Sequence, residues 1–278
     1  MNYRFGLIGY PIQHSLSPWI HKRFMEKTRS NGSYEKVEIL PTEPFEDKLI
    51  QLKKERLDGF NVTVPYKQAI IPFLDEIDPT AWTIGAVNTV VNIDGKWKGY
   101  NTDGIGYVRS LQSKYPEWFA KAKKRALILG AGGAARGIFV ALKHAGFAKI
   151  DIANRTLQNA DSIIEISPQN AAALTYSDAK EKLQEYDVLI QTTSVGMKPS
   201  IEQSIIDLKD LHSVIASDIV YQPIKTTFLQ QAEDNGLSIH YGHTMLLYQA
   251  QYAFEIWTGI KPSVIGMDEE LQRILEGR

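Results

Sequence analysis

The thirteen-residue stretch RALILGAGGAARG, residues 125–137, constrains the rest of the chain more than any other. Residues 126–129 are a short unbroken apolar run, as a parallel strand covered on both faces requires. The run ends in glycine and leads into a helical segment over residues 134–142. Gly130, Gly132 and Ala135 fit the G-x-G-x-x-G/A spacing. In that spacing the first glycine makes the tight turn, the second lets backbone approach a pyrophosphate, and the third small residue lets the helix pack close. The N–H groups and positive dipole end of the helix then face whatever sits on the glycines, so an anion is the natural guest. The competing reading is a turn that serves close packing alone. Residues 149–153 read as the next strand, and at its carboxyl end an NAD-binding fold usually carries an acidic residue. Here that corner holds Asn154, Arg155 and Thr156. A guanidinium flanked by neutral donors suits a 2′-phosphate, which points to NADP rather than NAD. The alternative is a solvated arginine at a helix start.

A chain of 278 residues accommodates two domains. With 44% hydrophobic and 23% charged residues it has the composition of a globular enzyme. A formal net charge of −1 leaves no electrostatic footprint for nucleic acid or an anionic membrane. The absence of cysteine excludes disulfides, thiolate-ligated zinc and thiol catalysis, and no metal site is expected. The opening residues have too short an apolar run for a signal peptide, and no run of about 18 apolar residues occurs, so a cytoplasmic protein is expected.

Read in order, residues 5–8 form a first strand, stopped by Gly9-Tyr10-Pro11. A helix follows with Ser17 as N-cap and Pro18 at its first position, which leaves the Ser15 hydroxyl free at a strand's carboxyl end. Strands over residues 34–40 and 59–64 enclose a helix over 44–54, making a βαβαβ unit. Lys67 lies just past the third strand, at the start of a helical stretch over 68–74, where the plain reading is a solvated residue. Residues 85–91 read as a fourth strand interrupted by Asn88, an amide either satisfied by backbone or present for a ligand. Asp94-Gly95 marks a hairpin, and Asp103 opens a helix to about residue 115, as an N-cap or first-turn acid on the plain reading. Residues 116–124 form a basic, helix-poor connection. Strand and helix then alternate up to residue 241, with a hydroxyl-rich loop at 192–197. A long helix over 242–257 and a last one over 267–276 cross back to the first domain. Of Gln249 and Gln251, at most one can point into a cleft.

Several blocks together resemble the shikimate dehydrogenase family: SLSP at 15–18, NVTVPYK at 61–67, GAVNT at 85–89 and NTDG at 101–104. GAGGAARG at 130–137, ANRT at 153–156, SDIVY at 217–221 and LLYQ at 246–249 complete the set. The resemblance implies an α/β protein that reduces 3-dehydroshikimate to shikimate with NADPH, on the route to chorismate and the aromatic amino acids. It implies an N-terminal α/β substrate domain, residues 1–104 with 242–278, and a Rossmann-type doubly wound NADP-binding domain, residues 105–241, with the cleft between them. The catalytic lysine falls on Lys67 and its partner carboxylate on Asp103. Ser15, Ser17, Thr63 and Tyr221 correspond to the groups that hold the substrate carboxylate and ring, while Asn88, Asp103 and Gln249 correspond to those that bind ring hydroxyls. The cofactor positions are Gly130, Ala131, Gly132, Gly133, Ala134, Asn154, Arg155, Thr156, Ile219 and Gly242. The chain departs from the family pattern at Ala135, His243 and Thr244.

The chemistry implied is consistent with these residue types. Hydride transfer to a ketone builds negative charge on oxygen, which needs a positioned cation or proton donor. Expected alternatives are a dehydrogenase that also takes quinate, or a nucleotide-sensing relative without the reaction. Partners are expected to be the small-molecule substrate and NADP(H), with no nucleic acid or membrane, in a monomer or homodimer.

Overall fold

Short apolar runs alternating with amphipathic segments produce open sheets covered by helices. The computed structural model describes residues 2–277 and contains two such sheets, each of six strands. The chain divides into two compact units: residues up to Thr102 with Gln249–Val264, and Asp103–Tyr248 with Ile265 onward.

The first unit opens with β1 (Asn2–Gly9), α1 (Ser17–Thr28), β2 (Asn31–Glu38), α2 (Phe45–Glu55) and β3 (Gly59–Val62). β1 lies between β2 and β3 and is parallel to both, the expected βαβαβ arrangement. Next come β4 (Glu76–Ile77), α3 (Pro79–Ile84), β5 (Thr89–Ile93) and β6 (Lys96–Tyr100). The sheet order is β2-β1-β3-β5-β6-β4, with β5 antiparallel to β3 and β6. β3 is central and buried along its length, whereas β2 forms a half-exposed edge. Asp94 and Gly95 both take positive φ, 52° and 87°, as a two-residue hairpin between β5 and β6 requires.

Two local readings of this unit differ from the structure. Residues 68–74 form turns with one short 3-10 segment, Ile71–Phe73, because Pro72 removes a helical N–H. The fourth strand starts only at Thr89: α3, capped by the Asp78 carboxylate accepting from Thr80 N–H, ends on Gly85 at φ 69°, and residues 86–88 form an irregular link in which Val87 N–H donates to Lys67 O and Asn88 N–H to Tyr100 O. β4 and α3 are too short to leave a periodic signal.

The second unit runs α4 (Asp103–Lys114), α5 (Pro116–Phe119), β7 (Arg125–Leu129), α6 (Gly133–His144), β8 (Lys149–Ala153) and α7 (Leu157–Ile164). It continues with β9 (Ala173–Leu174), α8 (Tyr176–Lys180), β10 (Val188–Gln191), β11 (Ile215–Asp218), α9 (Thr227–Asp234) and β12 (Ser238–His240). All its strand pairs are parallel, in the order β12-β11-β10-β7-β8-β9. The order reverses between β7 and β10, the switch point of a doubly wound Rossmann-type sheet. Residues 116–124, expected to be helix-poor, contain α5 because Lys124 is buried over the Phe119 and Phe147 rings and donates to the Phe119 and Lys121 carbonyls.

Two C-terminal helices follow, α10 (Gly242–Thr258) and α11 (Met267–Leu275). Residues 242–248 of α10 and all of α11 pack with the second unit, and residues 249–258 with the first. The sequence expectation assigned all of these to the first domain. The physical reason for the difference is that Met267 and Leu271 are buried and the Asp268 carboxylate meets His243 Nε2 at 2.7 Å. Among the described residues, no helix is long and apolar enough to cross a membrane.

Candidate active site

In the first unit, the carboxyl ends of β1 and β3 are drawn tightly together. Tyr10 N–H donates to Val64 O at 2.9 Å and Thr63 N–H to Ile8 O at 2.9 Å. A Cβ on Gly9 would stand 2.3 Å from Thr63 Cγ2, so only glycine admits this approach. Thr63 therefore lies against the end of β1. Four residues on, Lys67 follows Tyr66, whose ring stacks on Phe45 and whose hydroxyl donates to Ile39 O at 2.8 Å. The Lys67 carbonyl accepts Val87 N–H at 2.8 Å, which fixes its backbone beside Asn88. Both Thr63 and Lys67 are half-buried.

Ser17 is the first residue of α1, not its N-cap. The capping hydroxyl is that of Ser15, which accepts Ser17 N–H at 3.3 Å and lies 3.2 Å from Ser17 Oγ. This corrects the reading of Ser15 as free: residue 16 takes the cap position with helical dihedrals, so the nearest hydroxyl able to reach an orphan N–H is one residue earlier. Ser17 is buried and hydrogen-bonded to Tyr34.

Asn88 is 3% exposed, and its amide is used by the protein itself. Its Oδ1 accepts Thr102 N–H at 2.8 Å and its Nδ2 donates to Thr102 Oγ1 at 3.0 Å. Thr102 Oγ1 in turn reaches Gln249 Oε1 at 3.4 Å. Gln251 is turned elsewhere, donating to Pro262 O at 2.7 Å. Two hub residues in this network escape the sequence reading. Tyr34 donates to Asn61 Oδ1 at 2.8 Å, and Asn61 Nδ2 donates to Asn88 O and Thr89 Oγ1, both at 3.1 Å. Asn61 carried the same signal as Asn88, a polar amide inside an apolar strand. Tyr34 stacks on His21 at 4.5 Å, and burial lowers the His21 pKa to about 3, so its ring is neutral.

In the second unit, Asp103 is the first residue of α4. That helix is locked in place by close packing, since a Cβ on Gly104 would fall 2.1 Å from the Gly137 carbonyl oxygen of α6. The Tyr107 hydroxyl donates to Ser217 Oγ at 3.0 Å, and Ser110 Oγ lies 3.1 Å from His240 Nε2.

The glycine turn separates the two readings of its motif. Gly130 has φ 108°, and a Cβ there would meet Thr193 Cγ2 at 2.6 Å, so its glycine is demanded by the protein. Gly132 and Gly133 differ: a Cβ at either would meet no protein atom within 4 Å, and neither has positive φ. Gly132, at φ −90°, is the N-cap residue of α6, with Gly133, Ala134 and buried Ala135 in its first turn. Close packing explains Gly130; the open space over Gly132 and Gly133 suits an anionic ligand on the helix N-terminus. Ala131 links the two.

At the end of β8, Asn154 Nδ2 donates to Thr156 O at 2.9 Å, and Thr156 is the N-cap residue of α7 without using its side chain as a cap. Arg155 is exposed beside them; burial raises the Tyr176 pKa, and the nearby Arg155 charge offsets this in part. Past β11, a Cβ on Gly242 would lie 2.5 Å from the Ile219 carbonyl carbon and oxygen, which brings the start of α10 against Ile219. Tyr221 is half-buried two residues further on.

Comparison with known proteins matches the chain in three parts. The shikimate dehydrogenase substrate binding domain matches residues 7–90, the shikimate/quinate 5-dehydrogenase family residues 113–220, and the shikimate 5′-dehydrogenase C-terminal domain residues 242–272. The chain is 56% identical to the shikimate dehydrogenase (NADP(+)) of Oceanobacillus iheyensis, over the full length of both. It resembles the crystal structure of shikimate 5-dehydrogenase from Thermus thermophilus in complex with NADP(H) and shikimate, with 35% identity and a TM-score of 0.87 over 98% of this chain and 99% of that one. It also resembles the quinate dehydrogenase of Corynebacterium glutamicum in complex with NAD, at 26% identity and a TM-score of 0.88 over the full length of both.

Proposed function

This chain belongs to the shikimate dehydrogenase family, and we infer from that premise the work of its individual residues. It is an NADP-dependent oxidoreductase that catalyses the reversible reduction of 3-dehydroshikimate to shikimate, a step towards chorismate and the aromatic amino acids. NADPH supplies the hydride.

The residues present fit that cofactor. Gly132 and Gly133 leave backbone N–H groups open to a pyrophosphate, and this is the observation that carries the cofactor assignment. Arg155, with Asn154 and Thr156, holds the 2′-phosphate, a charge-assisted contact that NAD cannot make. Gly130, Ala131 and Ala134 shape the turn, and Ile219 with Gly242 supports the nicotinamide end.

On the substrate side, Ser15, Ser17, Thr63 and Tyr221 hold the carboxylate and ring, and Asn88 and Gln249 take ring hydroxyls. Asn88 does so while also holding the Thr102 backbone. Lys67 delivers a proton to the carbonyl oxygen as hydride arrives, and in the reverse direction accepts it from the hydroxyl. Asp103 offers its carboxylate to the same substrate hydroxyl. The rigid seating of Tyr66 is what keeps Lys67 in position for this proton transfer. A cysteine-free chain that consumes NADPH suits the reducing cytoplasm.

The test is spectrophotometric turnover with shikimate and quinate, each against NADP and NAD. The expected result is highest kcat/KM for shikimate with NADP. A preference for quinate or NAD would displace this reading.

A further inference from the structure

Asp218, the last residue of β11, is 1% exposed. Its Oδ1 accepts Val220 N–H at 2.8 Å and Gln191 Nε2 at 3.3 Å, and its Oδ2 accepts the Thr226 hydroxyl at 2.6 Å. These hydrogen-bond donors are all neutral, and burial pushes the carboxyl pKa up to about 7. A buried carboxylate without a cation is a poor choice for stability, since a neutral isostere avoids its desolvation cost.

What the carboxylate does is join two loops. Its bonds to Val220 and Thr226 clasp the segment containing Tyr221, next to Ile219. Through Gln191 it also reaches the loop after β10: Gln191 Nε2 donates to Val195 O at 3.0 Å and its Oε1 accepts Thr193 N–H. Both loops leave the carboxyl ends of strands at the side of the sheet where this fold binds its ligands. Asparagine keeps one acceptor oxygen for the Val220 and Gln191 N–H groups but turns an N–H toward the Thr226 hydroxyl, which must then accept from it as well as from Leu229 N–H, so the clasp on this loop changes while the desolvation cost of the charge is removed. Gln191 cannot flip to compensate, because both ends of its amide are already committed to the loop backbone.

We propose that Asp218 is a positioning residue for the reaction: its carboxylate sets the loop that presents Ile219 and Tyr221, at the expense of stability. The proposal rests on the reading of Ile219 and Tyr221 given above. The test uses the full-length enzyme and Asp218→Asn, measuring kcat/KM for NADP and shikimate and thermal melting at about pH 8. The expected result is a variant that melts at or above the parent temperature while kcat/KM falls roughly tenfold or more. Parental kcat/KM overturns the proposal. So does a variant that fails to fold or melts lower, since the carboxylate would then be a stabilising group. Tyr221→Phe tests the underlying reading separately. Parental kinetics in Tyr221→Phe remove the role of Tyr221, whereas an impaired Tyr221→Phe beside a parental Asp218→Asn removes the positioning role alone.

Discussion

On the proposed reading Lys67 and Arg155 both carry positive charge to a ligand, yet they should fail in different ways when removed. The Lys67 ammonium is needed most when charge develops on the carbonyl oxygen, so Lys67→Ala should lower kcat by about 10²- to 10⁴-fold and leave the KM for shikimate little changed. Single-turnover rates equal to the parent's would deny Lys67 a chemical role. The proposed contact of Arg155 with the 2′-phosphate is present in ground and transition states alike, so Arg155→Ala should raise the KM for NADP and spare kcat. At roughly 1.5–3 kcal/mol for a hydrogen bond to a charged group, the loss in kcat/KM is about tenfold to a few hundredfold with NADP and negligible with NAD. Equal losses with the two cofactors would show that Arg155 supports the fold or the shared part of the nucleotide. The proposed role of Arg155 is read from its place, at the end of the second strand of a recognisable unit, which gives a charged residue a meaning. Tyr34 and Asp218 were not legible. Their importance lies in partners 27 and 8 residues away, Asn61 and Thr226, and pairings across a sheet or a loop leave no local pattern.

At the scale of elements, the parallel strands were readable because burial on both faces demands apolar runs, unbroken in β7 and β10 and interrupted in β8 only by the buried Asp151. The helices α3 and α5, of six and four residues, were missed since neither spans two turns of amphipathic period. The cap of α1 was misplaced by one position for a related reason: the serines at 15 and 17 both offer a capping hydroxyl, and only the backbone shows that residue 16 holds the cap position between them. The glycine turn supports a sharper separation of stability from function. Gly132 has ordinary dihedrals and empty space at its Cβ position, so alanine fits the unliganded protein without strain. Gly132→Ala should therefore change stability by no more than about 0.5 kcal/mol. It should still raise the KM for NADP, because the added methyl occupies the approach to the helix N–H groups. A large drop in melting temperature, or an unchanged KM, would contradict the assignment of that space to the cofactor.

At the scale of the whole molecule, the feature that matters is α10, one continuous helix whose first seven residues pack in one compact unit and whose remainder packs in the other. Trp257 anchors its far end within the first unit. It is 8% exposed, stacks on Phe5 at 4.5 Å, donates to Val90 O at 2.9 Å and leaves no room for a Cβ on Gly59. Trp257→Ala should cost about 3–5 kcal/mol through the lost burial and the cavity it leaves. Because the same helix runs into the second unit, the loss should lower one cooperative transition and not detach a lower-melting half. NADP offers the discriminating measurement. At a hundredfold excess over Kd it adds roughly 2.7 kcal/mol to whatever unfolds together with its site. If α10 couples the units, NADP should raise the single calorimetric transition of Trp257→Ala by an amount comparable to its effect on the parent. Two transitions, with only the upper one shifted by NADP and lying at the parent's temperature, would mean that the helix passes through both units without linking their stabilities.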